Sequence, residues 1–223
     1  MSPSDYRELT FASIIFCPQE SDLEFVNLKS RITVHSPMSD FSYYTLYKLL
    51  QQAIKIGGDV VECGVFMGGS ASFIANVMQD SGKKLHLFDT FCGLPQEGVS
   101  DNFHSQGNFA VDLEGKPIVF EEVVKVVGHP ETTCFYKGVI PQTFSGLESL
   151  RICFAHIDVD LYRSVLDCCE FIYPRLSPGG FMVFDDYGQW SCLGARKAVD
   201  EFLEDKPEVV LPLLTNQGVV FKC

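Results

Sequence analysis

The sequence predicts an α/β fold in which a mostly parallel sheet carries helices on both faces, and three observations point to it. Short apolar runs alternate with stretches of helical periodicity along most of the chain, the pattern of successive strand-helix-strand units. The run from Asp59 to Cys63 breaks into glycines and then into a helical pattern, which reads as strand, tight turn, helix. The chain closes on two strand-like segments, Glu208 to Leu213 and Val219 to Lys222, which predict an antiparallel hairpin at one sheet edge. With 223 residues and 46% apolar content the chain can bury one good core. One domain is therefore expected over residues 39–223, behind an N-terminal arm or cap of residues 1–38.

Taken in order, residues 1–38 carry Pro3, Pro18 and Pro37 and no long periodic run, which suits a segment that packs over something. Ser39 can cap a helix in which Phe41, Tyr44, Leu46, Tyr47, Leu50 and Ile54 recur at helical spacing until Gly57 and Gly58 end it. The strand Asp59 to Cys63 follows. Gly64, Gly68 and Gly69 give the next turn open dihedrals and room for a ligand, and the helix from Ala71 to Met78 would aim its free N–H groups at that ligand. A bland glycine turn into a core helix explains the same residues. Lys84 to Phe88 reads as a second strand that ends at Asp89, and residues 90–116, rich in Gly, Asn, Ser and Asp, form a long loop of the kind used as a lid. Pro117 suits the first turn of a helix through Val127. Thr132 to Tyr136 reads as strand, Pro141 to Leu147 as a short helix, and Ile152 to Ile157 as a buried strand before Asp158 and Asp160. A helix from Tyr162 to Arg175 stops at Ser177-Pro178-Gly179-Gly180, a buried strand from Phe181 to Phe184 leads into Asp185 and Asp186, and Ala195 to Glu204 is helical.

The formal charge of -12 and the absence of a Lys/Arg cluster argue against nucleic acid or an anionic membrane surface as partner and favour a small molecule. Nine scattered cysteines without a C-x-x-C pair fit neither a zinc ribbon nor a disulfide framework and read as small buried hydrophobes in a reducing compartment. No signal-like segment opens the sequence and no apolar run approaches the ~20 residues of a membrane span, so a cytoplasmic protein is expected.

In such sheets ligands bind beyond the carboxyl ends of the strands, and four successive strand ends here carry Glu62, Asp89, Asp158 with Asp160, and Asp185 with Asp186. Asp89 can accept both hydrogen bonds of a ribose diol, or it can simply cap its strand end. Like charges gathered at one rim repel, and a hard divalent cation such as magnesium would relieve them; solvated turn acids bonded to helix N–H groups are the other reading. His35, Tyr44 and His104 are candidates for lining an acceptor pocket, although a lone His or Tyr is more often structural.

Four ordered motifs carry a family resemblance: V-V-E-C-G-V-F-M-G-G-S-A, L-F-D-T-F-C-G-L-P, H-I-D-V-D-L-Y-R-S and P-G-G-F-M-V-F-D-D-Y-G. Over about residues 31–222 the sequence resembles the macrocin-type O-methyltransferases, magnesium- and S-adenosylmethionine-dependent enzymes that finish macrolide and aminocoumarin antibiotics. The resemblance implies a Rossmann-like class I methyltransferase with a seven-stranded sheet. It implies that Glu62, Gly64 and Ser70 hold the methionine end of S-adenosylmethionine, Asp89 its ribose, and Asp158, Asp185 and Asp186 the Mg2+, with Asp158 counted in the cofactor site too. Asp160 is the implied general base, and a hydroxyl of a small-molecule diol, on a sugar or catechol-like natural product, the implied acceptor. Family members carry substrate-contacting and oligomer-forming segments in the N-terminal part, where this chain is short and divergent, so a homo-oligomer is allowed and the acceptor stays open.

Two rivals remain. Tyr44 and Lys48 spell the Y-x-x-x-K of short-chain dehydrogenases, which would make a nicotinamide oxidoreductase, but they precede the first strand. A binding protein that keeps S-adenosylmethionine without turnover is the other, and the retained acids, which repel one another, argue against a decayed site.

Overall fold

The computed structural model describes residues 17–34, 36–96 and 103–223. His35, a candidate for the acceptor pocket, lies outside the described residues. Two short helices, α1 (Pro18–Ser21) and α2 (Leu23–Ser30), precede α3 (Asp40–Ala53). The alternating part then runs β1 (Asp59–Cys63), α4 (Gly69–Met78), β2 (Leu85–Asp89), α5 (Phe120–Val127), β3 (Thr133–Lys137), β4 (Ile152–Ile157), α6 (Tyr162–Ile172), β5 (Leu176–Phe184) and α7 (Leu193–Leu203). The short β6 (Leu211–Pro212) and β7 (Gly218–Phe221) close the chain.

These strands form one 7-stranded sheet in the order β3-β2-β1-β4-β5-β7-β6. The five strands from β3 to β5 pair in parallel, while β7 is antiparallel to β5 and to β6, as the hairpin pattern predicted. The order reverses direction between β1 and β4, and Cys63 lies level with Phe88 on one side and Ile157 on the other, with Ile157 level with Phe184. Four strands thus end on one line.

Both faces of the sheet are covered. Val61, Cys63, Ala155, Ile157 and Met182 pack under α6 and α7, and Val60, Leu85, Phe154 and Val183 pack under α3 and α4. Strands buried on both faces are continuous apolar runs, which is why β4 was readable from Ile-Cys-Phe-Ala-His-Ile alone. In α3, the Ser39 side chain accepts from the Ser42 N–H at 3.1 Å, as expected of a cap. The buried stripe keeps Leu46, Tyr47 and Leu50 as predicted and differs at its ends: Tyr43 and Ala53 are inside, Tyr44 and Ile54 half-buried, and Phe41 exposed.

Several boundaries differ, each for a physical reason. The arm contains the helix α2, capped by Asp22 through the Phe25 N–H, and it buries only Phe25 and Leu28, too few positions to show as periodicity. Pro117 does not open a helix, because it bridges back to Val111 and the Ile118 N–H donates to the Ala110 carbonyl, so α5 starts at Phe120. Ser177-Pro178-Gly179-Gly180 is strand rather than a break: the Gly179 N–H donates to the Lys222 carbonyl and the Lys222 N–H to the Gly180 carbonyl. Cys92 and Cys223 are exposed and Cys17 and Cys134 half-buried, so the expectation of uniformly buried cysteines fails; all nine are free.

The ring of Phe25 meets Tyr44 at 5.1 Å, Tyr47 at 5.6 Å and Phe73 at 5.8 Å between centroids, tying α2 to α3 and α4. Phe25→Ala is expected to lower stability by about 3 kcal/mol, because a buried aromatic leaves a cavity. Urea unfolding checks it, and an unchanged midpoint would show that α2 adds nothing to the fold.

Candidate functional site

Because Cys63, Phe88, Ile157 and Phe184 are in line, the residues that follow them, Gly64, Asp89, Asp158 and Asp185, come to one rim of the sheet. The chain crosses itself tightly there. Gly64 has φ +86°, and a Cβ on it would lie 1.7 Å from the Asp158 carbonyl oxygen, so glycine is required here by the meeting of two strand ends. Gly68, with φ +86°, caps α4 and packs against Val123 and Val127 of α5. The first N–H groups of α4 have no acceptor within the helix, and Ser70 in that turn borders the cavity beyond the rim.

The cavity measures about 290 Å³. Of the predicted site residues, Gly64, Ser70, Asp89, Asp158, Asp160, Asp185 and Asp186 line it. Glu62 does not: it is fully buried one residue below the rim, where the sheet register sets it beside His156. Glu62 thus does not border the cavity, and one of its carboxylate oxygens, buried, has no hydrogen-bond partner among the described residues. His104 borders the cavity, but Tyr44 does not, since its ring packs on Phe25 and its hydroxyl points to Asp22 at 3.4 Å. Lys48 pairs with the same Asp22 at 2.7 Å, so the Y-x-x-x-K spacing belongs to the packing of α2 on α3.

Asp89 is heavily engaged. One carboxylate oxygen accepts from the Val65 and Phe66 N–H groups at 2.7 and 2.9 Å, and the other from the Phe91 N–H at 2.7 Å. It fastens the glycine turn to the end of β2. The strand-end cap is therefore a real role of this residue, whatever else it holds.

Charge beneath the rim is balanced by a residue the sequence analysis quoted without using. His156 Nδ1 donates to Glu62 at 2.9 Å, and its Nε2 lies 3.6 Å from Asp185, an ion-pair distance. Burial alone would lower its pKa, but the carboxylates of Asp185 and Glu62 outweigh burial and hold it well above 6.5. The signal was available: a histidine within an apolar strand, followed by an acid, needs a partner. Gln217, which donates to Asp185 at 2.8 Å from the turn before β7, had no local signal.

Asp158 and Asp186 have pKa values pushed well above the ordinary range, first by burial and then by the neighbouring acids, Asp185 foremost for Asp158 and Asp160 for Asp186. Asp160 takes a left-handed conformation with φ +56°, and its N–H donates to Asp186 at 2.9 Å. Such a conformation in a non-glycine residue is costly and is sustained by what surrounds it. Leu94, His104 and Phe109 border the cavity: the Leu94 N–H donates to the Asn108 carbonyl, the Gly107 N–H donates to the Leu94 carbonyl, and Phe109 stands edge-on to Phe66 at 5.8 Å. Cys192, at the start of α7, is a further wall that the sequence did not reveal.

Replacing His156 with Ala would leave Glu62 buried without its counter-charge, and a loss of about 3–5 kcal/mol is expected in chemical denaturation. A loss near zero would show that the pair is dispensable. Stability should also depend on pH. Folding raises the pKa values of His156, Asp158 and Asp186, so above the ordinary carboxylate range the folded chain binds more protons than the unfolded one and stability falls as pH rises. The share from His156 is complete below pH 6.5 and is lost as pH climbs through its raised value. Thermal unfolding followed across the neutral range should give a falling Tm; a rising one would contradict the charge balance.

Residues 45–221 match the model of the macrocin-O-methyltransferase (TylF) family. The 8-demethyl-8-(2,3-dimethoxy-alpha-L-rhamnosyl)-tetracenomycin-C 4'-O-methyltransferase of Streptomyces olivaceus is 32% identical over 158 residues, covering 66% of this chain and 58% of that protein. Mycinamicin III 3''-O-methyltransferase of Micromonospora griseorubida is 29% identical over 171 residues, covering 70% of this chain and 65% of that protein. The chain thus spans less than two thirds of the length of either relative. The O-methyltransferase NovP superposes with a TM-score of 0.74 at 21% identity over 85% of this chain and 83% of that chain, and the calicheamicin methyltransferase CalS11 with 0.68 at 20% over 89% and 92%. These likenesses show the fold, that of the class I methyltransferases. The family model covers most of the chain, and the chain belongs to the macrocin-O-methyltransferase (TylF) family.

Proposed function

We propose that this chain transfers a methyl group from S-adenosylmethionine to a hydroxyl of a small-molecule diol, on a sugar or catechol-like natural product, with Mg2+ as cofactor. The observation that carries the proposal is the alignment of strand ends, which gathers Asp158, Asp160, Asp185 and Asp186 with the glycine turn and Ser70 around one cavity. Family membership supports methyl transfer, and the names of the two relatives, both O-methyltransferases of natural products, support a hydroxylated small molecule as acceptor. The net charge of -12 supports neither nucleic acid nor an anionic membrane as partner, and no described helix is long and apolar enough to cross a membrane. Nine free cysteines fit the reducing cytoplasm.

The residues present fit both groups. The amino end of α4 and Ser70 offer N–H and hydroxyl groups to the methionine end, and Asp158 borders the same cavity. Asp89 contributes to the ribose with the acceptor capacity that its three N–H partners leave. Asp158, Asp185 and Asp186 are hard oxygen donors at one rim; their oxygens do not all come within 4.8 Å of one another, so one or two of them would touch Mg2+ directly, with water completing its shell. When bound, S-adenosylmethionine supplies an electrophilic methyl and Mg2+ makes the acceptor hydroxyl more acidic and aligns it. Asp160, fixed through its backbone N–H to Asp186, takes the hydroxyl proton at its carboxylate. The loop 90–116, of which residues 97–102 lie outside the described residues, would serve as a lid, and Leu94, His104 and Phe109 at the cavity support that reading.

Calorimetric titration with S-adenosylhomocysteine, with NADH as the rival class, tests the cofactor, and binding of NADH alone would remove this reading. Asp160→Asn is expected to keep S-adenosylhomocysteine binding while kcat for methyl transfer falls by about 10²–10⁴. Full activity in that variant would exclude Asp160 as base, and full activity after removal of divalent cations would exclude the metal.

A further inference from the structure

We infer that His104, Asp160 and Cys192 form a binding site for a zinc-type divalent cation, beside the all-carboxylate set and different from it in chemistry. Among the described residues this is the one group of three His, Cys, Asp or Glu side chains whose ligand atoms all lie within 4.8 Å of one another. His104 Nε2 is 3.3 Å from Cys192 Sγ and 3.7 Å from Asp160 Oδ1, and Cys192 Sγ is 3.6 Å from the same Asp160 oxygen. Zinc bonds of about 2.3 Å to sulfur and about 2.0–2.2 Å to nitrogen and oxygen give a tetrahedron with edges of about 3.3–3.6 Å. The two edges to sulfur, 3.3 and 3.6 Å, fall in that range, and the His104–Asp160 edge of 3.7 Å would close by a few tenths of an ångström on binding.

Asp186 Oδ1 lies 3.6 Å from Cys192 Sγ but is outside the group whose ligand atoms are all within 4.8 Å of one another, so the protein supplies three donors and leaves the fourth position open. The groups are also held in place. Cys192 is buried, its N–H donates to the Gln189 carbonyl at 3.1 Å, and the Asp160 backbone is tied to Asp186. One nitrogen, one sulfur and one oxygen favour zinc or cobalt over magnesium, which prefers oxygen alone. Binding takes Cys192 as thiolate, so its proton leaves to solvent as the metal-sulfur bond forms.

The binding inference is independent of the acceptor and of methyl transfer. Its consequence rests on the role proposed for Asp160: a cation there occupies the oxygen that would take the proton, so zinc would inhibit where magnesium supports.

Cobalt(II) titrated into the full chain without S-adenosylmethionine or acceptor tests it. The expected result is a thiolate-to-cobalt charge-transfer band with strong visible bands of four-coordination, displaced by zinc and not by excess magnesium. Cys192→Ser should abolish the charge-transfer band, and His104→Gln should weaken cobalt binding by about ten-fold or more; circular dichroism melting confirms that each variant folds. Should Cys192→Ser not fold, His104→Gln decides the matter. Weak six-coordinate bands alone, a spectrum unchanged in either variant, or displacement by magnesium would place the cobalt on the carboxylates and overturn the site. Because no turnover is read, failure of the methyltransferase reading and failure of this site are separate results.

Discussion

The registration of four parallel strands is the constraint on which the rest of this molecule depends. Cys63, Phe88, Ile157 and Phe184 lie in one row, so the chain leaves the sheet four times at the same height and four loops begin side by side. A shift of one residue in any pair would turn that strand's side chains to the opposite face and move its acid off the rim. Both faces are packed with apolar side chains from the helices, and this burial fixes the register. The geometry of the site is thus held by packing that lies beneath it.

The same registration creates an electrostatic cost, and the fold meets it in layers. Below the rim, the level pairing of Glu62 with His156 sets a buried carboxylate against a charged imidazole that also faces Asp185. At the rim, Asp89 is satisfied by three backbone N–H groups. Asp158 and Asp186 are left with their protonation favoured, by burial and by the acids beside them. Above them, the segment after β2 and the start of α7 bring a nitrogen and a sulfur to the one acid held in a left-handed conformation. The cavity therefore grades from hard oxygen donors at its floor to a mixed set near its cover.

Much of this was legible locally. Hydrophobic runs flanked by acids marked the strands β1, β2, β4 and the end of β5, because strands buried on both faces have no reason to alternate. The turn after β1 was visible in Gly64 and Gly68, although the sequence could not tell whether their missing side chains made room for a ligand or for the chain itself. Elements that depend on a partner were not legible. The helix α2 shows little periodicity and is read only through Phe25 meeting an aromatic cluster on α3 and α4. The start of β5 at Leu176 depends on backbone bonds from Gly179 and Gly180 to Lys222 at the far end of the sequence.

By itself, the sequence determined the fold class, the strands that end in acids, and seven of the eight residues assigned to the cavity. Local order suffices for these, because strand, turn and acid are neighbours along the chain. Only the tertiary structure decided that Glu62 pairs with His156, that Asp89 clamps the turn after β1, and that His104 and Cys192 meet at Asp160. Each of these rests on groups far apart in sequence, and packing of the completed sheet and its covering segments is what brings them together.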